Sequence, residues 1–154
     1  MDYFCYRTIL GEITILTDKI SVMGLSFGSC FLNARSVESP LIQKAFVQLR
    51  KYLDGSRQIF DLDFAIDGSV FQTSVWNQLM KIPYGKTKTY KEIAVAVNNP
   101  RSCIAVGRAC AKNPIAIFIP CHRVIGFDGN LTGYAGGLNI KKKLLEIENN
   151  SKCR

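Results

Sequence analysis

The sequence has little of several features that define whole classes of protein. It contains one histidine, and its six cysteines include no Cys-x-x-Cys pair. A structural zinc site commonly uses four Cys or His ligands in close pairs, so we expect no metal site. No apolar run approaches the ~18 residues of a membrane span, and residues 1–4 lack the basic segment that opens a signal peptide. We therefore expect no membrane partner and a cytoplasmic protein.

The cysteines stand at positions 5, 30, 103, 110, 121 and 153. Cysteines of a reducing compartment stay as thiols, because disulfides persist mainly in secreted proteins. We expect mostly free thiols, with a bridge between Cys5 and Cys30 as a minor alternative.

Acidic residues are scarce in the second half of the chain. Residues 68–154 contain 13 Lys and Arg but only 4 Asp and Glu, whereas residues 1–67 contain 7 against 8. The whole basic excess therefore lies after Asp67-Gly68, which is also a turn signal. We predict a domain boundary there, with domains at residues 1–67 and 68–154. A basic half favours a polyanionic partner, most simply nucleic acid.

The first half predicts a small sheet with one helix. Residues 3–32 have the alternation of strands, and Ser39-Pro40 is a typical helix start. Residues 59–66 fit a strand or an extended connector. The second half predicts mostly helices, beginning after Ser69. We expect an α+β fold, in which an antiparallel-sheet-plus-helix domain packs on a mostly helical, winged-helix-like domain.

Two short helices with a tight turn between them predict a helix-turn-helix in the second half. Thr89-x-x-Glu92 is a capping-box pattern that opens the first helix. The second helix, at about residues 102–111, carries small side chains that allow close approach to a partner helix or to a DNA groove. The apolar run 115–119 predicts a buried strand that delivers Cys121, and a last helix is expected at about residues 139–148.

Cys121 and His122 are the candidates for chemistry. A thiolate is a strong nucleophile, and a base within reach would activate the thiol. Glu148 falls on the apolar face of the last helix, where a carboxylate is costly unless it is paired. We predict that Glu148 orients His122 and that His122 polarises Cys121, directly or through water. The alternatives are a buried structural cysteine and a solvated Glu148 in a frayed last turn.

Residues 119–124, Ile-Pro-Cys-His-Arg-Val, resemble the active-site motif of the O6-alkylguanine-DNA alkyltransferases. The resemblance extends over residues 68–149, and the first half agrees in outline. It includes Asn113-Pro114, Thr89-Tyr90, Gly133-Tyr134, Gly136-Gly137 and the Leu144-Leu145-x-x-Glu148 helix. An ordered series at matching spacings is a far more specific signal than one short motif.

The resemblance implies stoichiometric repair of double-stranded DNA that contains O6-alkylguanine, and it leaves O4-alkylthymine open as a second substrate. The base would be flipped out, and Cys121 would take its alkyl group irreversibly. Tyr90 would assist the leaving guanine, and Asn113 would brace the turn that holds Cys121. Further residues are implied in substrate binding (Val124, Tyr134, Ala135) and in DNA binding (Arg101, Ile104, Ala105, Arg108, Arg123). No metal or organic cofactor is implied, and we expect a monomer, associated with the nucleoid in a prokaryote or nuclear in a eukaryote.

The sequence departs from the family pattern at two positions. Ile104 stands where the family usually has an arginine that enters the base stack, although an apolar wedge also unstacks bases. Ala135 stands where relatives often have serine, so one hydroxyl contact is lost. The N-terminal half has no histidine, so the zinc site of some relatives is not expected.

Three other functions stay open at this point. A lesion sensor would bind alkylated DNA without chemistry. A cysteine hydrolase would use Cys121 and His122 for turnover, and a transcription module would use only the helix-turn-helix. Only a transferase would retain one alkyl group on Cys121.

Overall fold

The computed structural model describes residues 1–28 and 33–152 and divides the chain into two compact units, Met1–Ile66 and Asp67–Arg154. Cys30 lies outside the described residues, and so does its predicted pairing with Cys5; the Cys5 side chain is exposed. No described helix combines the length and the apolar composition that a membrane crossing requires.

The described part of the first unit, residues 1–28 and 33–66, forms a four-stranded sheet with one helix. The strands are β1 (Asp2–Thr8), β2 (Gly11–Thr17), β3 (Val22–Phe27) and β4 (Arg35–Ser36), in the spatial order β3-β2-β1-β4. The pairs β1–β2 and β2–β3 are antiparallel, whereas β4 runs parallel to β1. The predicted strands are confirmed in the described part of residues 3–32. Residues 59–66 form a connector, with one bridge from Phe64 to Val22.

Helix α1 (Pro40–Leu53) contacts all three long strands of the sheet. The Ser39 hydroxyl accepts a hydrogen bond from the Ile42 amide, and Pro40 occupies the first turn, so the predicted helix start is confirmed. The sequence marks an apolar stripe at Leu41, Ala45, Leu49 and Tyr52, and the last three of these are buried; Leu41 is half-buried, and Ile42 is buried in its place.

Over its described residues, 67–152, the second unit contains four α-helices, which are α2 (Val70–Met80), α3 (Tyr90–Ala96), α4 (Cys103–Ala111) and α5 (Leu138–Lys152). Capping boxes open α2 at Ser69 and α3 at Thr89; the helix start after Ser69 and the capping box at Thr89 are as predicted. Helix α4 packs on α3 and α2, and the Trp76 indole donates to the Ala109 carbonyl at 2.8 Å. Strands β5 (Lys88–Thr89) and β6 (Val124–Ile125) form a parallel pair that the sequence analysis did not foresee. The α+β class is as expected.

The segment 115–119 is not the strand that its apolar composition predicts. It is buried, but its backbone folds into a tight turn in which the Ile119 amide donates to the Ile115 carbonyl. Ile117 adopts φ 71°, a conformation that β-branched residues rarely occupy. The side chain of Asn113 bonds two backbone groups of this turn, which helps explain why an irregular path is tolerated in the interior.

Candidate active site

Cys121 begins a single 3₁₀ turn, Cys121–Arg123, directly after the buried segment. Its side chain is only 5% exposed, and it lines a pocket of about 420 Å³ in the second unit. That volume lies within the range of ligand pockets in proteins. The other lining residues are Tyr90, Cys103, Gly107, Cys110, Ala111, Thr132, Gly133, Tyr134 and Ala135.

Asn113 holds the turn that precedes Cys121. Its amide nitrogen donates to the Ile119 carbonyl at 2.8 Å, and its amide oxygen accepts from the Ile115 amide at 3.0 Å. Burial raises the pKa of the Cys121 thiol, while a hydrogen bond from Asn113 and the charge of Lys141 lower it in part. The net direction is upward, so the thiol keeps its proton at rest and a base must remove it.

His122 and Glu148 form the hydrogen bond that the sequence predicts, with 2.6 Å between Nε2 and Oε2. Both side chains are buried, at 0% and 1% exposure. Because an ionised carboxylate only accepts, Nε2 carries the proton and Nδ1 is the acceptor nitrogen of the neutral ring. Burial lowers the pKa of His122 despite the opposing effect of Glu148, so the neutral form is favoured.

Glu148 accepts hydrogen bonds from two segments, the Cys121–Arg123 turn and the backbone at Gly85. Besides His122, Arg123 Nε donates to Oε1 at 2.7 Å, and the Gly85 amide donates to the same oxygen at 3.1 Å. Burial alone would raise the pKa of Glu148, but these bonds and the positive charges hold it below its ordinary value. The carboxylate is therefore ionised and fixed in position.

The position of the Arg123 side chain differs from the predicted one. We expected its side chain to contact DNA, but it is buried, and its guanidinium bonds both Glu148 and the Ile82 carbonyl, the latter at 2.8 Å. The guanidinium also lies 5.7 Å from the centre of the Tyr84 ring. Because Nε and Nη1 donate inside the unit, Arg123 has a structural role in fixing Glu148.

The other predicted DNA contacts lie on or before α4. Arg101, Ile104 and Arg108 are exposed, Ile104 at 75%, and Ala105 is half-buried. Helices α3 and α4 pack together as a helix-turn-helix, and the Lys91 ammonium donates to the Pro100 carbonyl in the turn between them. Exposed cations on this motif are available to phosphates.

The predicted substrate contacts divide into two groups. Tyr134 and Ala135 line the pocket with Cys121. Val124 is buried in β6, where it pairs with Lys88 and is absent from the described lining. The contact predicted for Val124 stays a prediction.

Tyr90 and Lys141 meet at one backbone carbonyl. The Tyr90 hydroxyl donates to the Thr132 carbonyl at 3.2 Å, and the Lys141 ammonium donates to the same oxygen at 2.8 Å. Burial raises the pKa of Tyr90, so its phenol stays protonated and can donate. Lys141 is not among the predicted site residues, although it lies on the buried face of α5 with Leu144 and Glu148 at helical spacing.

Among residues 1–28 and 33–152, no three His, Cys, Asp or Glu side chains are arranged to hold a metal ion. The absence of a cofactor stays a prediction. The fold and the site together define a class: a helix-turn-helix domain that carries a buried cysteine in a pocket, next to a histidine–glutamate pair.

Two family models match the chain. The ribonuclease-like domain of 6-O-methylguanine DNA methyltransferase matches residues 1–66, and the DNA binding domain of the same enzyme matches residues 70–150. The chain therefore belongs to the O6-methylguanine-DNA methyltransferase family, and the resemblance stated above is confirmed. It is a DNA-binding protein, as predicted.

Individual relatives agree with the family models. A methylated-DNA–protein-cysteine methyltransferase of Methanosarcina acetivorans is 42% identical over 156 residues, covering 96% of this chain and 98% of the relative. The same enzyme of Methanosarcina barkeri is 57% identical over 109 residues, covering 71% and 69%. An OGT of Mycobacterium tuberculosis, solved in complex with DNA, matches with TM-score 0.93 at 37% identity, covering 98% of this chain and 94% of that one.

Proposed function

We propose that this protein repairs DNA by moving the alkyl group of O6-alkylguanine onto its own Cys121, once per molecule. The observation that carries the proposal is the position of Cys121 at the pocket, beside a buried His122–Glu148 pair, in a unit that matches the family's DNA binding domain. Residues 68–154 form the transferase domain in this proposal, and residues 1–67 form a separate N-terminal domain.

The helix-turn-helix binds the duplex, and the damaged base leaves the stack to enter the pocket. Extrusion is required because a thiol that is 5% exposed cannot reach an O6 substituent inside the helix. Arg101 and Arg108 contact phosphates, and Ala105 allows α4 to approach the groove. Ile104 acts as an apolar wedge in the vacated position.

The chemical step is a displacement at the alkyl carbon. The Cys121 proton passes towards Nδ1 of His122, whose opposite nitrogen is held by Glu148. The sulfur forms a bond to the carbon as the bond from that carbon to O6 breaks, and the electron pair stays on the guanine. Tyr90 donates a hydrogen bond or proton to the leaving base, while Tyr134 and Ala135 contact it. A thioether is a poor leaving group, so the protein is consumed.

The proposal also covers the oligomeric state, the need for cofactors, the compartment and a second substrate. The protein acts as a monomer without a metal or organic cofactor. It works in the compartment that holds the DNA, which is the cytoplasm and nucleoid of a prokaryote or the nucleus of a eukaryote. O4-alkylthymine is a second candidate substrate for the same pocket.

Intact-mass spectrometry tests the reaction directly. After incubation with an equimolar duplex that contains O6-methylguanine, the mass should rise by one methyl group in place of one hydrogen. Peptide mapping should place the methyl group on Cys121. Cys121→Ser should bind the duplex without any mass change, whereas Cys110→Ser, which alters another thiol of the pocket, should still accept the methyl group.

Other outcomes identify the other functions. Binding without a mass change in the unmodified protein would indicate a lesion sensor or a transcription module. Repeated conversion of substrate without a retained group would indicate a hydrolase. A methyl group mapped to a residue other than Cys121 would contradict the proposed nucleophile.

A further inference from the structure

Phe127 is the most exposed large apolar side chain among residues 1–28 and 33–152, at 92% exposure. Its ring takes part in none of the aromatic or cation–π pairs of those residues. An aromatic ring that stays in water leaves a large apolar surface uncovered, but a single exposed apolar residue is common and needs no function. The position of Phe127 therefore decides whether it has one.

A closed turn, residues 126–130, holds the ring at its tip. The Gly129 amide donates to the Gly126 carbonyl, and the Gly126 amide donates to the Asn130 carbonyl, each at 3.0 Å. Gly129 adopts φ 82°, as the last residue of a three-residue hairpin loop requires. The Asp128 carboxylate accepts from the backbone and side-chain nitrogens of Asn130, at 3.1 and 2.7 Å. The ring is thus presented from a fixed backbone, which lowers the entropic cost of a contact.

Both ends of this turn are attached to the beginning of α3, the first helix of the helix-turn-helix. Before the turn, Ile125 of β6 pairs with Thr89, which caps α3. After the turn, the Thr132 hydroxyl donates to the Tyr90 hydroxyl at 3.0 Å. The turn therefore extends the surface of the helix-turn-helix at the N-terminal end of α3.

The same loop continues into the wall of the reactive pocket. Residues 132–135 line this pocket from the loop, whereas Cys103 and Gly107 line it from α4. Ile104 is the exposed apolar side chain next to the α4 wall, and Phe127 lies five positions before the loop wall. Two exposed apolar side chains therefore adjoin the two walls of the cavity that receives the base.

The charges next to the turn indicate the kind of partner that covers the ring. Lys88 pairs with Val124 at the start of β6, and both Lys88 and the nearby Lys86 are exposed. A partner that suits exposed cations around an aromatic ring offers an anionic backbone together with flat apolar faces. Nucleic acid has both, because its phosphates are charged and every base has a face on which a ring can stack.

We propose that Phe127 is a DNA contact at the rim of the pocket: its ring stacks on a nucleobase of the bound duplex that extrusion of the damaged base has left unstacked. The inference rests on the proposed function for the extrusion. The contact with DNA itself requires only that the chain binds DNA.

Affinity measurements test the contact in the Cys121→Ser background, which leaves the lesion intact. Phe127→Ala should weaken binding to a duplex with O6-methylguanine roughly 5- to 150-fold, the range for the loss of one aromatic stack on a base. The slope of log affinity against log salt should not change, because no phosphate contact is lost. Phe127→Tyr keeps the ring and should keep the affinity, and Ile20→Ala, at a 75% exposed position of the first unit, should have no effect.

Phe127→Trp places a fluorescent reporter at the tip of the turn. The chain has one native tryptophan, Trp76, which is 2% exposed and gives a constant background. Saturation with the same duplex should quench the new indole, because a stacked base quenches it. Ile20→Trp is the matched control and should keep its emission. Unchanged emission from position 127 at saturation would overturn the inference.

Two further measurements separate the contact from its competitors. Phe127→Ala should unfold at the same denaturant concentration as the unmodified protein, so that a lower affinity reports a lost contact. A second copy of this chain is the competing partner for the ring. If Phe127→Ala abolished a dimer in sedimentation velocity but left DNA affinity unchanged, the inference would be wrong.

Methyl transfer by the unmodified protein distinguishes this inference from the proposed function. If no methyl group is accepted from DNA but Phe127→Ala weakens binding and the indole at position 127 is quenched, the proposed function fails and the contact remains. If methyl transfer occurs while Phe127→Ala binds DNA normally, the function stands and the role of Phe127 is refuted.

Discussion

At the residue scale, Glu148 is the junction of the site. It receives hydrogen bonds from His122, Arg123 and the Gly85 amide, so one carboxylate links the reactive turn to α5 and to the turn after α2. Its pairing with His122 was predictable, because a carboxylate on an apolar helical face requires a partner. The Arg123 contact was not predictable, because adjacent residues of an unknown turn have unknown directions.

We expect Glu148→Gln to destabilise the protein strongly at pH 7. The amide has the shape of the carboxylate but no charge, which leaves the buried Arg123 guanidinium without its counter-ion. Breaking one side of a buried pair typically costs about 3–5 kcal/mol. Denaturant unfolding measures this loss. Glu146→Gln, at an exposed position of the same helix, should change stability by less than about 0.5 kcal/mol, and equal effects of both variants would contradict the assignment.

The stability of the protein should also decrease in acid in two stages. His122 has a pKa below its usual 6.5 in the folded state, so protons favour the unfolded chain as the pH falls below about 6.5. Glu148 also has a lowered pKa, so its stabilisation is complete above about 4.5 and is lost as the pH falls through the folded value. Unfolding at a series of pH values should show both stages in the unmodified protein. Glu148→Gln should show a smaller second stage, because the carboxyls of Asp18 and Asp54, whose pKa values are also lowered by hydrogen bonds, still titrate there. An unaltered acid profile would contradict this account.

At the element scale, local patterns predicted the long elements and missed the irregular ones. The caps at Ser39, Ser69 and Thr89 marked the starts of α1, α2 and α3, because capping signals act within a few residues. Segment 115–119 has the composition of a strand, but the side chain of Asn113, which lies just before it in the chain, bonds its backbone in place of a neighbouring strand. Strands β5 and β6, of two residues each, are too short to leave an alternating pattern.

Helix α4 exposes Ile104, which we expect to take part in base extrusion. Ile104 is 75% exposed and presents an apolar side chain where an arginine would add hydrogen bonds to the orphaned base. Ile104→Arg should therefore accelerate methyl transfer from duplex DNA more than from single strands, in which no stack has to be opened. Single-turnover rates on the two substrates measure this difference. An equal effect on both substrates would show that residue 104 does not act as a wedge.

At the scale of the whole molecule, the two units differ in charge as well as in fold. Of the cations in the basic half, Arg123 and Lys141 are buried and serve the interior, so the DNA-binding charge comes from the exposed ones. This distinction was beyond the sequence, because counting charges does not reveal which of them face water.

DNA affinity should fall steeply with salt, because phosphate contacts release counterions. Each lost phosphate contact should reduce the slope of log affinity against log salt by about one. Arg108→Ala should reduce the slope in this way, whereas Lys44→Ala, in the first unit, should leave it unchanged. Fluorescence anisotropy at several salt concentrations gives both values, and a flat profile for the unmodified protein would contradict the charge assignment.

The separation of His122 and Glu148 along the chain has a consequence for biosynthesis. These partners are 26 positions apart, so a ribosome that adds about 5–20 residues per second makes the histidine roughly one to five seconds before its carboxylate. During that interval the nascent polypeptide carries the nucleophile without the group that orients its base. The pair that serves the reactive turn is therefore complete only when α5 has been translated and has folded onto it.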